Sequence, residues 1–141
     1  MKEKRAKLGN TRVTGKEQYY TPPGLADQII ARVCGQIESP TARSFLEPAG
    51  GTGSFVEAAK SLGFQRIESM DIEPKHPDVQ EGNFLTSNLE LANAICVTNP
   101  PFGRNNSLSV PFFNKAAQHS DVIAFIVPRS WRKWSVLNRL D

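Results

Sequence analysis

The chain has 141 residues, a length that suits one domain, and its 39% hydrophobic and 22% charged residues are an ordinary water-soluble balance. No apolar run approaches the roughly 20 residues of a membrane-spanning helix. The basic N-terminus is not followed by the apolar core of a secretory signal, and Cys34, Cys96, His76 and His119 fall in no zinc-binding spacing. A cytoplasmic, metal-free protein with reduced thiols is the expectation. The net charge of +3 suits a polyanionic partner without demanding one.

Residues 1–18 are polar and basic (Lys2, Lys4, Arg5, Lys7, Arg12, Lys16) and show no hydrophobic period. They predict a flexible arm, free to touch phosphates or simply to be solvated. Thr21 is placed to cap a helix with Pro22 at its first position, and Leu25, Ile29, Ile30 and Val33 recur at helical spacing up to Gly35. Residues 44–50 give a short strand that runs into Gly50-Gly51-Thr52-Gly53. Phe55, Val56, Ala58, Ala59 and Leu62 then make a helix ending near Gly63. Residues 66–73 predict a second strand with acids at its end. Residues 79–85 predict a third, ending at Asn83 and Phe84, and Leu89, Leu91 and Ala92 suggest a brief helical turn.

Ala94-Ile95-Cys96-Val97 reads as a buried strand leading straight into Asn99-Pro100-Pro101-Phe102-Gly103. After the polar loop Arg104–Ser107, Val110, Phe112, Phe113, Ala116 and Ala117 form a helix. Residues 122–127 form the clearest buried strand, ended by Pro128. The following Arg129-Ser130-Trp131-Arg132-Lys133-Trp134 interleaves cations with tryptophans. At least one tryptophan is expected in the core, and the pattern also suits stacking on bases. Strands near 45, 67, 82, 95 and 124 alternate with helices. That order predicts an α/β domain over residues 19–141 with a doubly wound, mostly parallel sheet.

Three loops carry the chemistry. Glycines after the first strand let a ligand approach the backbone, and the following helix offers free N–H groups. The loop is neither an NAD turn nor an ATP turn: Val56 stands where the dinucleotide pattern needs glycine, and no Gly-Lys-Ser/Thr follows. Glu47 would repel a pyrophosphate but suits a ligand with a cationic end, a sulfonium or an ammonium. Asp71 and Glu73, about 20 residues further on, stand where α/β folds grip ribose hydroxyls. Pro100 and Pro101 fix the backbone after Asn99, so a carboxamide and an aromatic ring are held three residues apart at a strand's C-terminal edge. Alone, Asn-Pro-Pro reads equally well as loop punctuation.

Taken together, the motifs resemble the class I S-adenosylmethionine-dependent methyltransferases, and among them the enzymes that methylate adenine at its exocyclic N6. The matching stretches are Tyr20-Thr21-Pro22 with Leu25-Ala26, Phe45-Leu46-Glu47-Pro48-Ala49-Gly50-Gly51-Thr52-Gly53-Ser54-Phe55, Asp71, and Asn99-Pro100-Pro101-Phe102, in the family's order over roughly residues 19–134. The resemblance implies a Rossmann-like fold and S-adenosyl-L-methionine as cofactor. Glu47 would balance its positive end. The backbone around Pro48, Gly51 and Gly53 would lie against it, and Asp71, with Ile72 beside it, would accept the ribose hydroxyls. The family's aspartate for the cofactor adenine is replaced by Asn83, which can accept one N–H, and Phe84 would pack on the same ring. Tyr20, Thr21 and Pro22 would close the methionine end. Asn99, Pro100, Pro101 and Phe102 would form the catalytic motif: the Asn99 amide oxygen and the Pro100 carbonyl each accept one amino hydrogen, and Phe102 stacks on the extruded base.

The family fold adds a terminal antiparallel hairpin after the fifth strand, and its DNA enzymes carry a target-recognition domain. Neither follows here, so the domain is expected to be truncated after the fifth strand, either a fragment, a form that needs a partner, or one that is silent. An uncovered sheet edge would favour a homodimer or a partner subunit. Three functions stay open: adenine methylation in DNA, favoured by Tyr20-Thr21-Pro22; the same chemistry on RNA adenine, guanine or a protein glutamine, for which Phe102-Gly103 also has parallels; and a silent nucleic-acid-binding or partner-dependent module.

Overall fold

The computed structural model describes residues 20–141, so the basic arm and Tyr19 lie outside the described residues. In chain order the elements are α1 (Pro23–Cys34), β1 (Phe45–Glu47), α2 (Ser54–Leu62), β2 (Ile67–Asp71), β3 (Gln80–Glu81), β4 (Ala94–Thr98), α3 (Ser109–His119), β5 (Ser120–Phe125) and α4 (Trp134–Leu137). The five strands form one sheet in the order β3-β2-β1-β4-β5, and every pairing is parallel. Phe45 sits opposite Ile67 on one side and Ile95 on the other. Thr98 at the end of β4 pairs with Phe125 at the end of β5. All the strand ends that lead into motif residues therefore point to one edge.

Strand periodicity builds two cores. Phe45, Ile95 and Val97 face a layer that includes Ala26 and Ile30 of α1 and Phe55 and Ala59 of α2. Leu46, Ala94 and Cys96, one residue out of phase, face Phe84, Phe112 and Ala116 on the opposite side. Each large side chain so buried contributes about 1.5–3 kcal/mol. With both faces covered, β1 and β4 are buried at every position, as strands in the middle of a parallel sheet are. A third, smaller cluster joins Val110, Trp131 and Val136. Phe113, Phe125 and Trp131 meet there at ring-centroid distances of 5.5 to 6.3 Å.

Several sequence expectations are corrected. Pro22, not Thr21, caps α1, Pro23 is the first helical residue, and no side chain caps the helix. The reason is that the Thr21 hydroxyl is turned toward Asn99. The third strand is only Gln80–Glu81. The chain leaves the sheet at Asn83, whose Oδ1 accepts the Leu85 N–H at 3.0 Å and starts a 3-10 turn over Phe84–Thr86. Residues 88–92 form no helix. β5 begins two residues early, ends at Phe125 and is mostly half-buried, because it is an edge strand with β4 on one side only. Of the tryptophans, Trp131 is in the core at 6% exposure and Trp134 is 75% exposed.

Candidate cofactor and acceptor site

Glu47 ends β1 in the middle of the sheet, so its carboxyl is 1% exposed. Thr98, at the end of neighbouring β4, donates its hydroxyl to Glu47 Oε1. The Ala49 N–H donates to the same oxygen at 2.9 Å. Burial outweighs both bonds and, with help from Asp71, raises the Glu47 pKa to about 8. The carboxyl is thus largely protonated at neutral pH until a positive charge comes near.

The glycine loop is tied to the end of β2. Gly50 donates to the Met70 carbonyl at 2.8 Å. Gly51 donates to Asp71 Oδ2 at 2.9 Å and Glu73 N–H to Asp71 Oδ1 at 2.8 Å. Burial still raises the Asp71 pKa, against the opposing pull of those two N–H groups. A carboxylate oxygen carries more than one lone pair, so the group that holds the loop is also able to accept a ligand hydroxyl. Gly51 and Gly53 hold φ of +51° and +80°, which side chains rarely adopt. Space enforces the same choice: a Cβ on Gly51 would come within 3.0 Å of the Tyr20 ring, and one on Gly53 within 2.4 Å of His76. Tyr20 therefore roofs the loop. Burial, then the charges of Asp71 and Glu73, raise its phenol pKa.

Asn99 follows β4 and is 8% exposed. Its Nδ2 donates to Thr21 Oγ1 over 3.5 Å, which turns the amide nitrogen toward the start of α1. Tyr20, Thr21, Glu47, Gly51, Phe55 and Asn99 all line one cleft at this edge. Its volume is about 20 Å³, room for a water and far short of the roughly 300 Å³ or more of a small-molecule site. Tyr20 and Phe55 supply the two aromatic walls of this cleft.

The remaining expected residues are placed unevenly. Pro48 and Pro100 are fully buried, Pro101 and Phe102 are half-buried, and Pro22 is exposed. Ile72 is 53% exposed beside Asp71, a bare apolar surface at the edge of the site. Asn83 is exposed, with Oδ1 engaged by Leu85 N. Phe84 does not present a wall to a ligand: it is 1% exposed, 5.4 Å from the Phe112 ring and under Lys115 Nζ at 5.3 Å. Its apolar bulk serves the core beneath the sheet. Two residues that sequence reasoning did not single out for this site belong to it. Thr98 directly precedes Asn99, and a hydroxyl at the end of a buried strand is the signal that pointed to it. His76 packs against Gly53, accepts the Asp78 N–H at Nδ1 and reaches Glu57 Oε1 from Nε2 at 2.7 Å. Glu57, His76 and Asp78 bring three ligand-type atoms within 4.8 Å of one another. Those atoms are committed to each other and to Lys60, an arrangement that pins the loop after β2 onto α2.

No protein-family model matches the chain. Over 95 residues, 65% of the chain, it is 30% identical to the type II methyltransferase M.HincII of Haemophilus influenzae and equally to M.HindII of Haemophilus influenzae strain Rd. The match spans 18% of the length of each of these curated relatives. Among solved structures, a proposed RNA methyltransferase from Pyrococcus horikoshii superposes with a TM-score of 0.67 at 20% identity, covering 88% of this chain and 70% of that one. A proposed class I S-adenosylmethionine-dependent methyltransferase from Listeria monocytogenes gives 0.59 at 14% identity, over 84% and 48% of the two chains. The fold is that of the class I S-adenosylmethionine-dependent methyltransferases. The sequence similarity is to the type II methyltransferases.

Proposed function

We propose that the chain binds S-adenosyl-L-methionine and transfers its methyl group to the exocyclic amino group of adenine in DNA. One observation carries this reading: Glu47, the Gly51 turn and Asn99 line a single cleft at the C-terminal edge of two adjacent parallel strands, where open α/β sheets take their ligands. The residues fit the cofactor. A buried carboxyl answers its cationic end, the glycines allow the positive-φ turn that sets the loop, and Asp71 offers acceptors to the ribose. Bound there, the cofactor supplies an electrophilic methyl on a sulfonium.

The chain's own residues do the rest. An adenine amino group is a weak nucleophile because its lone pair is delocalised into the ring. Asn99 Oδ1 and the Pro100 carbonyl each accept one amino hydrogen, which favours a tetrahedral nitrogen with its lone pair toward the methyl carbon. Phe102 stacks on the extruded base. Thr21 holds the Asn99 amide in register. No side-chain base is needed for attack, and the rate gain comes from orientation, worth roughly 7–11 kcal/mol in favourable cases. DNA is preferred as acceptor because Tyr20-Thr21-Pro22 resembles the stretch preceding the fold in adenine DNA methyltransferases.

The test begins with calorimetric titration of S-adenosylmethionine into the 141-residue chain. Binding lost in Asp71→Ala and followed by labelled methyl transfer to adenine in DNA is the expected result. Binding without transfer to DNA, but with transfer to an RNA of the same sequence, would move the acceptor to RNA. A folded chain that binds no cofactor would end the reading.

A further inference from the structure

Beyond β5 the chain forms a second, larger groove. Val127, Pro128, Arg129, Trp131, Arg132 and Leu137 line a volume of about 460 Å³, within the range of nucleotide-sized sites. Its floor is apolar and its rim cationic. Residues 126–141 carry Arg129, Arg132, Lys133 and Arg139 against the single acid Asp141. The ion pairs among the described residues involve none of those four cations. Trp134, adjoining Lys133, is 75% exposed.

The groove opens beside the acceptor half of the site. Ile126 N–H donates to the Thr98 carbonyl at 3.0 Å, joining the start of this segment to the residue before Asn99. Trp131 Nε1 donates to Asn106 Oδ1 at 3.2 Å, and Arg139 Nη1 to the Asn105 carbonyl at 3.1 Å. Both bonds fasten the segment to the loop that follows Phe102. Arg129 and Arg132 on the groove, with Lys133 and the exposed Trp134 next in the chain, are the chemistry that holds a nucleic-acid strand: phosphates on the cations, a base face on the ring.

We propose that this groove seats the DNA strand next to the target adenine, with phosphates on Arg129, Arg132 and Lys133 and a neighbouring base stacked on Trp134. The assignment rests on the methyltransferase reading above and deepens it by naming where the strand runs. Anisotropy of a fluorescein-labelled single-stranded DNA with one central adenine, titrated with the full 141-residue chain over a range of salt, tests it. Trp134→Ala should weaken binding about 5- to 100-fold, and Trp134→Phe should restore most of the loss because a stacking face returns. Arg129→Ala with Arg132→Ala should reduce the slope of log affinity against log salt by about 1.4, at about 0.7 for each phosphate no longer neutralised. S-adenosylmethionine affinity, measured by calorimetry on the same proteins, should not change, which also shows that the variants are folded. Variants that bind DNA like the wild type would overturn the proposal and assign the binding to the arm of residues 1–18. So would RNA of the same sequence binding at least tenfold more tightly through the same residues. Trp134-dependent DNA binding by a chain that takes up no cofactor would uphold the groove and end the methyltransferase reading, so the two fail separately.

Discussion

The two halves of the site are built differently. The cofactor half, after β1 and β2, is held by backbone N–H donors: Gly50 to the Met70 carbonyl, and Gly51 and Glu73 to the Asp71 carboxylate, at 2.8 to 2.9 Å. The acceptor half, after β4 and β5, combines backbone bonds, Ile126 to Thr98 at 3.0 Å and Leu108 to Phe102 at 3.1 Å, with longer bonds between side chains, Asn99 to Thr21 at 3.5 Å and Asn106 to Ser130 at 3.4 Å. Asn105 and Asn106 in its loop lie in the left-handed region at φ of 52° and 62°, a conformation that asparagine tolerates better than most residues. Short backbone bonds through buried strands leave little choice of geometry. Long bonds between side chains leave several. On the proposed function, the loop that faces the cofactor is fixed by its own N–H groups, while the loop that faces the acceptor also relies on longer bonds between side chains.

The comparison is broken most sharply by separating the halves. Asn99→Ala should lower methyl transfer about 10³-fold, on the scale of removing one preorganised hydrogen-bonding group from a reaction centre, with cofactor affinity kept within about threefold. Paired loss of both would place Asn99 in folding instead. Asp71→Ala removes an acceptor from Gly51, from Glu73 and from the proposed ribose. Charge-assisted bonds of this kind are worth about 1.5–3 kcal/mol, so calorimetry should show cofactor affinity reduced roughly 10- to 100-fold. Gly53→Ala tests whether the cradle is as rigid as its bonds imply. With φ of +80° and the His76 ring 2.4 Å from the new Cβ, it should lose about 1–3 kcal/mol in denaturant unfolding. Gly82→Ala, where a Cβ meets nothing within 4 Å, should stay within about 0.5 kcal/mol of the wild type.

The pH-dependent effect is the most specific. The Glu47 pKa is about 8 in the fold against an ordinary 4.5. Between those values the folded chain holds a proton that the unfolded chain has lost, so this group's contribution to stability falls as pH rises through that window. Glu47→Gln should flatten the pH dependence of the melting temperature there. A cationic ligand end beside Glu47 favours the carboxylate, so cofactor binding below pH 8 should release up to one proton. Calorimetry in buffers of different ionisation enthalpy reads that number directly, and a value of zero would remove Glu47 from the cationic end.

Legibility in the sequence followed the same divide. The run Phe45 to Gly53 could be read because a buried strand, a glycine turn and an amphipathic helix each leave a local signature. The Asn99 turn could be read because two prolines restrict it. Phe84 could not, since nothing local tells an aromatic that faces a ligand from one that fills a core; only its place beneath Leu46 and Phe112 decides. The half-exposed state of β5 was hidden for a related reason. From Val122 to Phe125 its residues are as apolar as those of β4, and whether a strand is central or at an edge depends on strand order, not composition. Thr21 shows local preference losing to a tertiary bond: a good helix cap by type, it is turned to Asn99 instead.

The tyrosine lying across Gly51 has a thermodynamic side. If binding required that ring to swing off the loop, the apparent Kd would be the intrinsic Kd divided by the fraction of chains with the ring aside. A roof open one time in a hundred would weaken apparent affinity about a hundredfold, or about 2.7 kcal/mol. Anything that holds Tyr20 aside, such as a docked strand or a neighbouring chain, would return that energy as cooperativity, and the chain would take up its cofactor best when its acceptor is already at hand.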